Sequence, residues 1–312
     1  MATYTSLTRN QIISLLASYS IGEIIQSAPM AGGQANSSFI VTAKTGTYVL
    51  SICDEKDVAE ISILTTLLNY LTENRFITST LVKTNDGSSY VQLEDKPAFL
   101  KNFIDGQVKD SLTKEMAYQT GMALATLHEL PVLDILPDRF SYGIEVFDEV
   151  SQTPGEFARW LALIKKYLSS CRDPDLPRGL IHGDLFSDNM VFQKGELAAI
   201  LDFEEACNYY FVFDLGMCAA GCCRMQESFS LELARELIRG YQSKRRLTTL
   251  EKELLQQHVV YGAAATAFWR FRQFRFVQPD RSRQDVYKEM QNLADEVRHI
   301  PAELFKRSVF TL

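Results

Sequence analysis

Cysteine is scarce in this chain, with six in 312 residues at irregular spacings. That is too few for a disulfide framework, and apolar core thiols in a reducing compartment are expected instead. Cys218, Cys222 and Cys223 form a C-x₃-C-C cluster. With no histidine or second cysteine pair nearby, it does not read as a zinc site. Positive charge is also in short supply: Lys and Arg number 32 against 39 Asp and Glu, a net charge of −7 with a pI near 5.3. Phosphate backbones select basic faces, so nucleic acid and anionic membrane surfaces are excluded as recruiting partners. Long apolar runs are missing too. The longest, residues 209–223, spans fifteen residues and is broken by Asp214, whereas a membrane helix needs about 20. The opening MATYTSLTRNQIISLLASYS lacks a basic segment followed by an apolar one, so no secretory signal is expected.

What is present is a sizeable apolar fraction, 46% of residues with 11% aromatic. That supports a substantial core and, at this length, two domains or one two-lobed unit. Residues 180–202 read LIHGDLFSDNMVFQKGELAAILD. His182, Asp184 and Asn189 form H-x-D-x-x-x-x-N, and Asp202 follows thirteen residues after Asn189. Two short apolar runs, 190–192 and 197–201, flank Lys194-Gly195, the pattern of a β-hairpin. A hairpin returns the chain to its start, so Asn189 and Asp202 are expected side by side, with Asp184 on the loop feeding the same end. Hard oxygen ligands from Asn189 and Asp202 suit Mg²⁺, which needs only one or two carboxylates besides phosphate oxygens. Asp184 then remains to take the proton of an attacking hydroxyl. The pattern points to phosphoryl transfer from ATP.

This stretch resembles the catalytic and metal-binding loops of protein-kinase-like small-molecule phosphotransferases, in which H-G-D stands for H-R-D and D-F-E, here Asp202-Phe203-Glu204, for D-F-G. Within that superfamily the chain is most similar to bacterial homoserine kinases of this fold. The likeness runs through YTSLTRNQI (4–12), GGQANSSFIV (32–41), PRGLIHGDLFSDNMVF (177–192) and ILDFEEACNYYFVFDLGMC (200–218). It implies an α+β, bilobal protein-kinase-like fold. A nucleotide-binding lobe with an antiparallel five-stranded sheet is expected over residues 1–102, and a larger, mainly helical catalytic and substrate-binding lobe over 103–312. It also implies a cytoplasmic enzyme, a monomer or homodimer, with ATP and Mg²⁺ as cofactors and a small-molecule hydroxyl substrate, homoserine favoured. In this resemblance His182 is structural, holding its loop to the metal-binding segment.

Along the chain, Thr8-x-x-Gln11 predicts a capping box opening a short helix. Strands are expected at 24–27, 38–43 and 47–53. Between the first two, MAGGQANS (30–37) is the candidate phosphate-covering loop. Gly32 and Gly33 let backbone N–H groups approach anionic oxygens, and Ser37 or Ser38 can add a donor. No G-K-[ST] follows, so it is not a Walker A loop. Protein kinases carry a phosphate-binding lysine on the third strand. Here Ser51 and Cys53 take the inward positions, and Lys56 is the nearest lysine. A helix is expected over 57–74, with Glu60 either pairing with a lysine or solvated. Residues 79–84 and 89–94, around Asn85-Asp86-Gly87, predict a hairpin, and 97–104 an edge strand. Phe103 and Ile104 are the candidates to sandwich adenine. Helices follow over 112–130, 156–169, 230–242, 249–273 and 283–298. Asp214, in the apolar YYFVFDLGM, is expected to brace the catalytic loop by accepting from its backbone N–H groups.

For an amino-acid acceptor, Arg224, Arg270, Arg272 and Arg275 are candidates for a carboxylate clamp, and Glu204 and Glu205 for an ammonium. Choline or ethanolamine would want an aromatic box, from Tyr209, Tyr210, Phe211 and Trp269; an aminoglycoside would want an acidic cleft. The missing strand-three lysine leaves a kinase-like nucleotide-binding module without turnover as the alternative from another class.

Overall fold

A computed structural model describes residues 5–30, 36–152 and 154–311. The chain divides into two compact units, Met1–Asp105 with Ala198–Leu201, and Gly106–Leu197 with Asp202–Leu312.

The first unit opens with helix α1 (Arg9–Leu16). Thr8 accepts from the Gln11 N–H, and the Gln11 side chain accepts from the Thr8 N–H, the capping box read from the sequence. Strands β1 (Ile24–Pro29), β2 (Asn36–Ala43) and β3 (Gly46–Cys53) form an antiparallel meander. In β2, Ser37, Phe39, Val41 and Ala43 alternate inward, the period of two a one-sided sheet requires. Helix α2 (Val58–Glu73) starts from a second capping box, in which Glu60 accepts from the Asp57 N–H. Glu60 therefore has a local task at its own helix start. Ile61, Leu64, Leu68 and Leu71 are its buried face.

Strands β4 (Leu81–Val82), β5 (Val91–Leu93) and β6 (Lys96–Asn102) complete the sheet. The order is β1-β2-β3-β6, with β4 and β5 both on the far edge of β6, so the sheet is five strands wide from six segments. Here the sequence expectation needs correcting. The segments at 79–84 and 89–94 do not pair as a hairpin, and 97–104 is no edge strand. Ala98 pairs with Ile52 of β3 and Val91 of β5, and Leu100 with Leu50 and Val82. The reason lies in burial: Ala98, Phe99 and Leu100 are all enclosed, as suits an interior strand rather than an alternating edge. The tight reversal is at Glu94-Asp95, with Glu94 at φ +54°. Pro97 sits outside the β3 ladder, where its missing N–H costs no pairing. The turn at Asn85-Asp86-Gly87 exists, but it ties back to the end of α1, where Asn85 donates to Ser18 and Thr84 bridges Tyr19.

The second unit begins with helices α3 (Lys114–His128), α4 (Asp148–Ser151) and α5 (Glu156–Tyr167). Strands β7 (Arg178–Ile181), β8 (Met190–Gln193) and β10 (Cys207–Tyr210) follow, while β9 (Glu196–Ile200) begins here and belongs from Ala198 to the first unit. β7 pairs with β10, and β8 with β9 as the expected hairpin. Its turn uses Lys194 at φ +53° and Gly195 at φ +90°, a pair of left-handed residues that matches strand twist. After β10 come α6 (Phe211–Cys222), a short ribbon of β11 (Arg224–Met225) and β12 (Ser228–Phe229), then α7 (Leu231–Gln242), α8 (Thr249–Arg272), α9 (Tyr287–His299) and α10 (Ala302–Phe310). The apolar run at 209–223 is thus the end of a strand plus α6, whose residues from Val212 to Ala220 are all buried. α10 had no counterpart in the sequence reading. The expected helix at 283–298 starts four residues late, and Arg283 instead stacks on Phe274 at 3.9 Å.

Among the described residues no helix is long and apolar enough to cross a membrane. All six cysteines are free and buried, and burial pushes the Cys171 thiol up to about 12.

Candidate active site

The second unit gathers its polar residues around the loop between β7 and β8. β7 delivers His182, Gly183 and Asp184 at its carboxyl end, and one turn of 3₁₀ helix, Ser187–Asn189, places Asn189 at the mouth of the hairpin. Asn189 donates from Nδ2 to the Asp184 carbonyl at 2.8 Å. That bond fixes the amide's orientation and leaves its oxygen for another partner. Beyond the hairpin, Asp202 is exposed and adopts φ +62°, a left-handed conformation uncommon outside glycine. Such backbone strain persists only where the surroundings hold it. Phe203 is buried against the His182 ring, centroids 4.7 Å apart, which ties the segment after the hairpin to the loop before it.

Asp214, on α6, is wholly enclosed. Its Oδ2 accepts from the His182 N–H and its Oδ1 from the Gly183 N–H, both at 2.8 Å. The carboxylate thus braces the two peptide groups preceding Asp184, as its apolar setting in the sequence demanded. Gly183 stands at φ +85°, and a Cβ there would lie 2.5 Å from the Glu205 carbonyl oxygen. Only glycine permits that approach, which explains the G of H-G-D. His128, at the end of α3, completes the support with Nε2 3.0 Å from Asp214 Oδ2 and Nδ1 2.7 Å from the Tyr241 hydroxyl. Arg245 donates to that hydroxyl at 3.1 Å and to Glu251 at 2.9 Å. The single Tyr241 proton therefore goes to Nδ1, and His128 donates from Nε2–H as a neutral ring. Burial pulls the His128 pKa down, consistent with that tautomer. For Asp214 burial alone acts upward, but the His128 bond and the His182 N–H hold it below the ordinary carboxylate value.

Asp184 is half-buried, and its Oδ1 accepts from the Tyr142 hydroxyl at 2.8 Å. Burial pushes its pKa up to about 7, opposed by the Tyr142 bond and reinforced by Asp202, Glu205 and Asp188. Glu205 accepts from the Ser141 hydroxyl. Tyr142 and Ser141 were not singled out from the sequence. They lie in an irregular stretch, and no periodicity marks them.

The other sequence candidates fall as follows. Gly32 and Gly33 lie outside the described residues. The Ser37 hydroxyl donates to Asp54 at 2.5 Å, within a group that includes Lys96, 2.7 Å from Asp54; Lys96 went unnoticed in the sequence. Ser38 is half-buried opposite Ser51, and its carbonyl accepts from Met30. Lys56 is half-buried in the loop from β3 to α2. Phe103 and Ile104 are half-buried just past β6, where the Phe103 N–H donates to Thr47. The arginine run disperses: Arg272 pairs with Glu149, Arg275 with Asp285, and Arg270 with Glu289 at 2.6 Å. Arg224 meets the same Glu289. Burial works to raise Glu289, but the two guanidiniums hold it below the ordinary carboxylate value. Of the four aromatic candidates Tyr209 and Tyr210 meet, centroids 4.7 Å apart with Tyr209 buried, but the set does not converge. Phe211 stacks on His128, Tyr210 faces Arg178, and Trp269 lies by Tyr142 and Phe274.

An antiparallel sheet unit, and a helical unit whose H-G-D loop is pinned by a buried helix carboxylate and followed by an amide and a post-hairpin aspartate, define a protein-kinase-like small-molecule phosphotransferase. The chain belongs to the phosphotransferase enzyme family, whose model matches residues 27–252. Curated relatives include the homoserine kinase of Gluconobacter oxydans, 29% identical over 82% of this chain and 84% of that one. The homoserine kinase of a Chelativorans species is 31% identical over 82% of each. Among solved structures, amicoumacin kinase hAmiN, in complex with AMP-PNP and Ca²⁺, superposes with a TM-score of 0.74 at 13% identity, covering 95% of this chain and 97% of that one. The protein is an ATP-dependent phosphotransferase with an alcohol group as acceptor.

Proposed function

We propose that the chain transfers the γ-phosphate of ATP to the hydroxyl of L-homoserine, giving O-phospho-L-homoserine for threonine synthesis in the cytoplasm. The observation that carries the chemistry is the Asp184–Asn189–Asp202 arrangement: a half-buried carboxylate beside an amide oxygen left open by its own N–H bond, with an exposed carboxylate after the hairpin. The substrate rests on the homoserine kinase relatives, aligned over about four-fifths of both chains.

Asp184 is the proposed base that takes the acceptor's proton. Asn189 and Asp202 offer hard oxygens of the kind Mg²⁺ accepts; among the described residues no three His, Cys, Asp or Glu side chains form a cage, which suits a cation completed by phosphate oxygens. Bound Mg²⁺ would neutralise charge on the β and γ phosphates. In the first unit, the Gly32-Gly33 loop with Ser38 and Lys56 is proposed for the phosphates, and Phe103 and Ile104 for adenine. Ser37 is a weaker donor candidate because its hydroxyl is engaged with Asp54. For the amino acid, Arg224 and Arg270 are the proposed carboxylate clamp, since of the arginines considered these two converge, on Glu289. Glu205, which acts on Asp184 electrostatically, is the proposed ammonium partner.

Coupled ADP release with Mg·ATP tests the reading, comparing L-homoserine with choline, ethanolamine, L-serine and an aminoglycoside. Turnover on homoserine at roughly 1–100 s⁻¹ with the others far slower supports it. Activity on another alcohol alone discards the substrate and keeps the kinase.

A further inference from the structure

A carboxylate that serves as a base has two oxygens, and which one faces the acceptor is decided by what holds the other. In this chain Tyr142 holds Oδ1 of Asp184 at 2.8 Å. The tyrosine is itself immobile. It is only 7% exposed, its ring packs on Phe140 at 4.1 Å and near Trp269 at 6.4 Å, and the chain is tied down one residue before it and two after. Ser141 donates to Glu205, and the Ile144 N–H donates to the Tyr261 hydroxyl at 2.9 Å. The stretch from Phe140 to Ile144 is thus a strap fastened to Glu205, the residue after D-F-E, on one side and to α8 on the other. The peptide side of Asp184 is fixed as well: its N–H donates to His182 Nδ1 at 3.2 Å, and its carbonyl accepts from Asn189. With backbone and Oδ1 both held, the carboxylate has little rotational freedom left.

We infer that Tyr142 is a positioning residue for the transfer: its hydroxyl pins Oδ1 of Asp184, so that Oδ2 is the oxygen that receives the acceptor's proton. This rests on the assignment of Asp184 as base made above. In the step, the acceptor oxygen bonds to the γ-phosphorus while the bond from that phosphorus to the β–γ bridging oxygen breaks, and ADP leaves with the electron pair. The acceptor's proton passes to Oδ2 and then to solvent. Tyr142 keeps its own proton throughout. A rotating carboxylate would spend part of its time with neither lone pair aimed at the hydroxyl, and misplacement of a reacting group by about 1 Å costs on the order of 100-fold. Loss of one charge-assisted hydrogen bond to a base held also by its backbone is expected to cost less, about 10- to 50-fold.

The test is a double-mutant cycle on the whole protein with Y142F and D184N, using whichever alcohol the parent turns over fastest. Y142F keeps the ring and its packing. It should lower kcat about 10- to 50-fold with KM for ATP and for the acceptor within about twofold of the parent. In the D184N background the same change should do almost nothing, because Tyr142 acts only through that carboxylate. A structural role would instead give equal losses in both backgrounds, and that outcome overturns the inference. Urea unfolding midpoints of the parent, Y142F, D184A and the double variant Y142F/D184A supply a readout independent of turnover: Y142F should lower the midpoint beside Asp184 and leave it nearly unchanged beside D184A. Equal midpoint shifts would show that the hydrogen bond carries no coupling, overturning the inference whatever the kinetics. A parent active on an alcohol with Y142F equally active overturns the inference alone. A parent inactive on every alcohol overturns the functional reading and, with it, the base that Tyr142 would position.

Discussion

Nε2 of His128 lies 3.0 Å from Oδ2 of Asp214, and neither side chain has any surface open to solvent. Through this contact α3 and α6 jointly hold the two peptide N–H groups that precede Asp184. The arrangement is a buried charge with a full set of donors, the condition under which an enclosed carboxylate is tolerated. Removing one partner leaves the rest uncompensated.

Asp214→Ala should therefore lower stability by about 3–5 kcal/mol, because it strands three buried N–H donors, each costing about 1–3 kcal/mol when left unsatisfied. Asp214→Asn should cost less, because the amide oxygen can still accept one of the two N–H bonds. Urea unfolding of the three proteins checks the order; equal stability of parent and Asp214→Ala would show that the loop does not depend on this carboxylate.

Asp184→Ala should lower kcat roughly 10²- to 10⁴-fold, the worth of a general base, and Asp202→Ala at least as much. Asp202→Ala should retain the parent's melting temperature, since Asp202 is exposed, whereas Asp184→Ala gives up the Tyr142 hydrogen bond and should lower it modestly. Asn189→Ala should raise the Mg²⁺ concentration needed for half-maximal rate. Folded Asp184→Ala and Asp202→Ala proteins with parent turnover would refute the role assignments together.

Arg224→Met and Arg270→Met should each raise the acceptor KM about 10- to 100-fold for homoserine, the range for one charged hydrogen bond. KM for ATP should hold. An amino alcohol without a carboxylate should be turned over as poorly by the variants as by the parent. A uniform fall in kcat on all acceptors would instead mean that the pair with Glu289 only supports the fold.

Acid sensitivity should trace in part to His258, buried within α8, whose pKa burial pulls down to about 3. In the unfolded chain the same ring takes a proton near 6.5. Between those values the unfolded state binds a proton that the folded state refuses, so stability present above pH 6.5 falls as pH drops, by about 1.4 kcal/mol per unit. His258→Met should flatten the slope of unfolding free energy between pH 6.5 and 4.5 by that amount. An unchanged slope would show that the ring is already protonated in the fold.

Gly183→Ala should be among the most damaging small substitutions, because the new Cβ meets the Glu205 carbonyl at 2.5 Å with φ +85°. Either the loop or the chain at Glu205 must shift, moving Asp184. A loss of kcat beyond 100-fold with a lowered melting temperature is expected.

Much of this protein is legible in the chain alone, and for a local reason. Capping, hairpin turns and short-range loop chemistry depend on residues a few positions apart, so Thr8 with Gln11, Lys194-Gly195, and the run from His182 to Asp202 declare themselves in one dimension. Asp214 was readable too, because a lone charge in YYFVFDLGM must find partners. Strand order was not. Nothing in the pattern of residues 79–104 distinguishes a hairpin of two short strands from two strands laid on a third. The choice was made by how Ala98, Phe99 and Leu100 are enclosed on both sides. The same holds for the partners of the site. Tyr142 reaches Asp184 from 42 residues away, His128 reaches Asp214 from 86, and Arg224 meets Glu289 from 65. The sequence by itself thus determined the phosphotransferase class, since the H-G-D loop, the amide and the post-hairpin aspartate that mark it stand on one continuous loop and hairpin. Only the tertiary structure decided which Asp184 oxygen Tyr142 holds, which tautomer His128 takes and which arginines meet at Glu289, because those depend on distances between segments that no local spacing encodes.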